Sequence, residues 1–104
     1  MPLFTDAILV QEVPMTWIYI MTNRGKTTFY VGVTEDLASR VAQHKTGRIP
    51  GFTKRYNVCY LIYAEEFESI KVARLREREL KGWKRTKKEA LIAKTNPDWK
   101  ELHP

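Results

Sequence analysis

The sequence predicts an α+β fold, a three-stranded, mostly antiparallel β-sheet flanked by α-helices, and three observations carry that expectation. Residues 17–21 and 28–33 alternate with period two: Ile18, Ile20, Phe29, Val31 and Val33 fall on one face of a hairpin, and Tyr19 and Tyr30 share the other. Residues 58–64 form a third run rich in β-branched and aromatic side chains. Apolar residues then recur at helical spacing after Thr34, after Ser69 and after Thr86.

Taken in order, residues 1–15 lack clean periodicity and read as an N-terminal arm, and residues 16–104 read as one domain. Residues 22–27 bring Asn23 and Gly25 to a hairpin loop. Gly32 lies on the tyrosine face, where a missing side chain lets a ligand or a packed helix approach the sheet; a bulge is the competing reading. Thr34 reads as a helix N-cap, with Glu35 and Asp36 in the first turn and Leu37, Ala38 and Val41 as the buried stripe. Arg40 and His44, four residues apart, project from one side of that helix. The helix ends near Gly47, and residues 48–51 are loop by their Pro and Gly content.

Ser69 caps a long helix over about residues 70–83, whose inward row holds Ile70, Ala73 and Leu80. Position 77 of the same row is a glutamate. An acid there costs free energy unless it is paired or bound to a cation, whereas Glu79 lies about 200° around the helix among solvated charges. A salt bridge to Arg74 or Lys81 is the plain competing explanation for Glu77. Residues 86–89 have the pattern of a capping box, with Ala90, Leu91 and Ile92 buried behind it until Asn96-Pro97 stops the helix. Trp99 and Leu102 are expected to fold back as a lid.

Composition narrows the function. The chain has 104 residues, enough for one core, and a formal net charge of +6. Residues 71–94 hold ten Lys or Arg against three Glu, so an anionic partner, nucleic acid first, is expected. One cysteine, Cys59, excludes an internal disulfide and suits a reducing compartment. No apolar run approaches the roughly 18 residues of a membrane span, so the expectation is a soluble, cytoplasmic protein with no membrane partner. Two histidines and a lone cysteine do not make a structural zinc site, and no glycine-rich nucleotide loop or serine–histidine–acid pattern is present.

Cleaving a phosphodiester needs a cation, an always-charged donor and a proton acceptor, because attack builds charge on a non-bridging oxygen and on a poor leaving alkoxide. Glu77 suits Mg²⁺ or Mn²⁺ with water and phosphate as further ligands. Arg40 grips phosphate with a planar, permanently charged fork, and Tyr19 or His44 can take the proton. Lys54 and Arg55, beside Tyr56, together with Lys84, Arg85, Lys87 and Lys88, are candidate phosphate contacts. Each type also has an ordinary reading, as a packing tyrosine, a solvated arginine, a capping histidine or a solvated basic face.

With these residues in place, residues 16–102 resemble the GIY-YIG endonuclease superfamily, in particular its small single-domain bacterial branch named for likeness to the excision-repair nuclease subunit. Trp17-Ile18-Tyr19 stands where the family has Gly-Ile-Tyr and Tyr30-Val31-Gly32 where it has Tyr-Ile-Gly, with ten residues between. Arg40, His44 and Glu77 match its catalytic arginine, its helix-borne histidine or tyrosine, and its metal-binding glutamate. Asn96 resembles its late active-site asparagine, though further from Glu77 than in some branches. The stretches 52–57, 76–83 and 96–99 look like signatures of the small branch. The resemblance implies the same three-stranded fold and a DNA endonuclease using one divalent cation, Mg²⁺ or Mn²⁺, in repair, recombination or processing of structured DNA. It implies Tyr19, Tyr30, Arg40, His44, Glu77 and Asn96 as catalytic and Glu77 as metal ligand. A nucleic-acid-binding module that keeps the fold without cleaving is the alternative. Small lone domains bind DNA weakly, which leaves a role for a homodimer or a partner protein.

Overall fold

A computed structural model of the chain describes residues 15–48 and 51–104, so most of the N-terminal arm and part of the 48–51 loop lie outside it. Strands β1 (Thr16–Thr22) and β2 (Phe29–Thr34) lead into helix α1 (Leu37–Lys45) and the short helix α2 (Phe52–Arg55). Strand β3 (Tyr60–Phe67) and helices α3 (Ile70–Gly82) and α4 (Arg85–Thr95) complete the chain. The sheet order is β2-β1-β3, and both pairings are antiparallel, as the sequence predicts. Among the described residues no helix is long and apolar enough to cross a membrane.

The central strand β1 separates two cores. On one face Ile18, Ile20, Val31, Ile62 and Tyr63 pack against Ala73 and Leu80 of α3 and Ile92 of α4. On the other, Tyr19, Met21 and Leu61 pack against Leu37 and Val41 of α1 and Val58. Burial of each large aliphatic side chain contributes about 1.5–3 kcal/mol. The β1–β3 register shifts between Ile20 and Met21, which pair with Tyr63 and Leu61, so Ile62 is a bulged residue and joins Tyr63 on the α3 face. Asn96, 6% exposed, donates its side-chain amide to the Ile62 carbonyl at 3.0 Å and the Lys100 carbonyl at 2.8 Å, and its Oδ1 accepts from Lys100 N. That clasp returns the C-terminal segment to the sheet: Leu102 N donates to Leu61 O at 2.8 Å, and Trp99 stacks on Phe29.

Several local expectations change. The N-cap of α1 is Asp36, whose side chain accepts from Ser39 N; Thr34 bonds to Asp36 instead, because the chain is still extended at Thr34. The N-cap of α4 is Lys84 with no side-chain cap, and Glu89 pairs with Arg85 rather than closing a box with Thr86. Ser69 does cap α3, but Ile70 is 43% exposed and lines a groove with Thr16 and Arg40 rather than joining the core. Ala38 and Ala90 are exposed as well.

Gly32 is the largest correction. The gap over it is filled by Tyr19, its partner across β1 and β2: a Cβ at position 32 would meet the Tyr19 ring, lying 2.5 Å from Oη and 2.8 Å from Cε1. The ring is 1% exposed and has nowhere to retreat. Gly32→Ala is therefore expected to destabilise the fold by about 1–3 kcal/mol, read as a lower denaturant midpoint at unchanged slope.

Candidate active site

Three rings gather on the α1 side of the sheet. Tyr19 Oη lies 3.2 Å from His44 Nε2, and Tyr30 stands 6.1 Å from Tyr19 and 5.4 Å from His44 between ring centroids. The period-two pattern puts the tyrosines on one face, and helical spacing brings His44 down onto them. Their depths differ. Tyr19 and His44 are 1% and 5% exposed, whereas Tyr30 is half-buried, so Tyr30 is the outer ring and the Tyr19–His44 pair lies behind it.

Burial raises the Tyr19 phenol well above its ordinary value, and Tyr30 and Glu77 add to the rise while Arg40 opposes it. His44 is lowered from its ordinary value, first by burial and then by the Arg40 charge. Tyr19 is thus a phenol and His44 a neutral imidazole at neutral pH. In that state the Tyr19 hydroxyl and His44 Nε2 share one hydrogen bond, and Nδ1 is buried with no partner among the described residues.

Arg40 is half-buried and forms no ion pair among the described residues. It lines a groove of about 320 Å³ with Thr16, Thr34, Asp36 and Arg74. Arg74 was read in the sequence only as an ion-pair partner for Glu77; the signal for its place at the groove is its position three residues before Glu77 on the same helix face. Glu77 is neither solvated nor free. Its side chain is 18% exposed, accepts from Lys81 Nζ at 2.9 Å, and acts electrostatically on Tyr19. Arg76 bonds Glu65 of β3 through Nε at 2.9 Å and fastens the helix that carries Glu77. No group of three His, Cys, Asp or Glu gathers among the described residues, so a cation at Glu77 would take its remaining ligands from water and phosphate.

The model of the GIY-YIG catalytic domain matches residues 15–90. The chain belongs to the GIY-YIG family. A UPF0213 protein of Natronomonas pharaonis is 34% identical over 74% of this chain and 89% of its own length. A UPF0213 protein of Staphylococcus aureus is 35% identical over 62% of this chain and 79% of its own. The solution structure of a UPF0213 protein from Bacillus halodurans superposes with a TM-score of 0.54 at 26% identity, covering 82% of this chain and 89% of that one.

The two GIY-YIG triplets are thus one packed unit here: the tyrosine that ends the first, Tyr19, lies over the glycine that ends the second, Gly32. Other expected site residues sit elsewhere. Among the described residues no hydrogen bond joins Asn96 to Tyr19, Arg40, His44 or Glu77; its amide is engaged in the C-terminal clasp. The Arg85 guanidinium, expected to contact phosphate, also binds Glu89, Thr27 O and Lys26 O and lies 4.0 Å over Phe29. Lys54, Arg55, Lys84 and Lys87 are exposed, with Lys87 4.3 Å from the Trp83 ring centre, and Lys88 is half-buried.

The lowered His44 value has a sign. The unfolded chain's imidazole, with an ordinary value near 6.5, binds a proton more readily than the folded one. The stability contribution is full above that value and falls as pH drops below it, until the folded-state imidazole also protonates. His44→Gln is expected to flatten that part of the stability–pH curve, and a ring-proton NMR titration should place His44 below 6.5 in the wild type.

Proposed function

We propose that this chain is a divalent-metal-dependent DNA endonuclease that hydrolyses phosphodiester bonds in structured DNA, as in repair or recombination. The observation that carries the reading is the buried 3.2 Å pair of Tyr19 and His44, on which the charges of Arg40 and Glu77 both converge. The scissile phosphate enters the groove at Arg40, whose unpaired guanidinium holds non-bridging oxygens and stabilises the extra charge of the pentavalent transition state. Arg74 extends that cationic lining.

Tyr30, the outer ring, orients the attacking water. The water proton passes inward to Tyr19 Oη as the Tyr19 proton moves to His44 Nε2, so the phenol remains a phenol and the imidazole ends protonated. The raised phenol and lowered imidazole suit this: tyrosinate is disfavoured, and the neutral imidazole is available to accept. The water oxygen bonds to phosphorus as the bond to the 3′ oxygen breaks, giving 5′-phosphate ends. A divalent cation, Mg²⁺ or Mn²⁺, held by Glu77 would supply charge neutralisation at the leaving 3′ oxygen. The half-buried carboxylate fits such an ion once Lys81 moves aside.

A second reading, a DNA-binding module that keeps the fold without cutting, is favoured by the sealing of Tyr19 and by the Lys81 pair at Glu77. The two separate in a cleavage panel of branched, nicked, single-stranded and supercoiled DNA in Mg²⁺ and Mn²⁺. The nuclease reading expects metal-dependent nicks that Glu77→Gln and Arg40→Ala each reduce by about 100-fold or more while the thermal midpoint stays near wild type. Cleavage should also decline as pH falls through the His44 titration. Binding without nicks across the panel favours the module, and undiminished cutting by Glu77→Gln overturns the role assigned to Glu77.

A further inference from the structure

Among the described residues three non-glycine positions have left-handed backbone conformations, and two of them, Lys26 (φ 58°) and Trp99 (φ 55°), line one cleft. Residues with a Cβ avoid this region unless the surroundings impose it, and such strain concentrates where a side chain must be displayed. The surroundings do impose it. Asn23 Oδ1 accepts from Thr27 N and Thr28 N, Lys26 N donates to Asn23 O, and Arg85 of α4 binds the Lys26 and Thr27 carbonyls, so an exposed hairpin tip is tied down on every side. Gly25, next to Lys26, would take that conformation without cost, yet the strain falls on the lysine.

Trp99 is displayed with the same care. Its N–H donates to Asn96 O at 3.0 Å, and Asn96 holds Lys100 on either side of the turn. Its ring stacks on Phe29, with centroids 5.7 Å apart and planes 26° from parallel, and Phe29 carries the Arg85 cation 4.0 Å from its centre. The result is a guanidinium–phenyl–indole stack that ends at the cleft. The cleft, about 220 Å³, is lined by Arg24, Lys26, Tyr60, Ile62, Trp99 and Glu101. It is smaller than a drug-sized pocket and combines two aromatic rings with two exposed cations at its lip and one carboxylate within.

We infer that this cleft is a subsite for one unpaired base of a DNA strand, stacked on Trp99, with the flanking phosphates at Arg24 and Lys26. Stacking on a fixed aromatic ring beside cations is the chemistry that holds single strands without reading sequence, and a paired base presents no free face to it. Glu101, at the wall of the cleft, is fixed by its ion pair with Lys45. Thr22, at the floor, and Thr16, beside the Arg40 groove, are the two ends of β1, about 20 Å apart, so the unpaired nucleotide lies several nucleotides along the strand from the phosphate held at Arg40. The choice of DNA as ligand rests on the nuclease reading, and the inference sharpens it: the substrate carries a single-stranded segment several nucleotides from the cut.

The test is binding, with metal chelated so that cleavage plays no part. A blunt duplex and the same duplex with a five-nucleotide single-stranded extension, carrying 2-aminopurine at its second position, are titrated by anisotropy and by 2-aminopurine emission. The wild type is expected to bind the extended form at least about fivefold tighter and to quench the probe. Trp99→Leu, and separately Arg24→Ala with Lys26→Gly, should erase that preference and leave blunt-duplex affinity unchanged. Because Trp99 also packs on Phe29, the double variant on the exposed tip decides the matter where Trp99→Leu does not fold. Equal wild-type affinity for the two DNAs, or variants that weaken both alike, overturns the inference. A preference that is present without any cleavage in Mg²⁺ upholds the subsite and overturns the nuclease reading alone.

Discussion

The packing of Tyr19 over Gly32 is the constraint on which the rest of the site depends. Two neighbouring strands can hold a tyrosine ring flat against the sheet only where the facing residue has no side chain, and the antiparallel register puts Gly32 opposite Tyr19. With the ring down, its hydroxyl is carried to the level of His44 on α1 rather than out into solvent. The helix can then close over it with Leu37 and Val41, and the polar pair becomes part of the core it sits in. A larger residue at position 32 would lift the ring, separate Oη from the imidazole and open that core together.

This burial sets the electrostatics. A phenol and an imidazole in water would titrate near their ordinary values; buried under α1, both are pushed toward neutrality, with Arg40 adding to the effect on His44 and opposing it on Tyr19. Charge is kept at the margin instead, on Arg40, Arg74 and the Glu77–Lys81 pair. Neutral proton carriers inside and fixed charges outside form an arrangement in which a proton can move inward while the charged phosphate stays near solvent. Glu77 reaches this boundary from the opposite side of the sheet, since α3 packs its Ala73 and Leu80 against the core of Ile18 and Ile20. The site therefore straddles the sheet, and its two halves are joined only by tertiary packing.

How much of this was legible in the sequence follows from that division. Alternation along β1 and β2 places Tyr19 and Tyr30 together, and helical spacing pairs Arg40 with His44, because those relations are local and periodic. Glu77 was legible as the acid in an apolar row, and its half-buried state bears this out while its bond to Lys81 bears out the competing ion pair as well. The caps misled at Asp36 and Lys84, where the turn geometry of the incoming chain, not the side-chain type, decides which residue faces the helix N-terminus. Gly32 misled for a deeper reason: a glycine signals a close approach but not what approaches, and here the visitor is a side chain of the same sheet. Arg85 and Asn96 carry the right chemistry for a site and are consumed by fastening loops, which no linear spacing reveals.

Those two fastenings also tie down the far end of the sheet. The hairpin tip and the C-terminal turn are each short, polar and exposed, the kind of segment that opens first in a small domain. Arg85 grips the first through two carbonyls, and Asn96 grips the second through three hydrogen bonds. What they secure is the relative position of Lys26 and Trp99, two residues held in conformations their own side chains disfavour. A fold of this size has few side chains to devote to rigid display at its periphery. That two of them, in different connecting segments, converge on the same cleft beside Phe29, one residue before Tyr30 in β2, ties the periphery of the sheet to the strand that carries Tyr30.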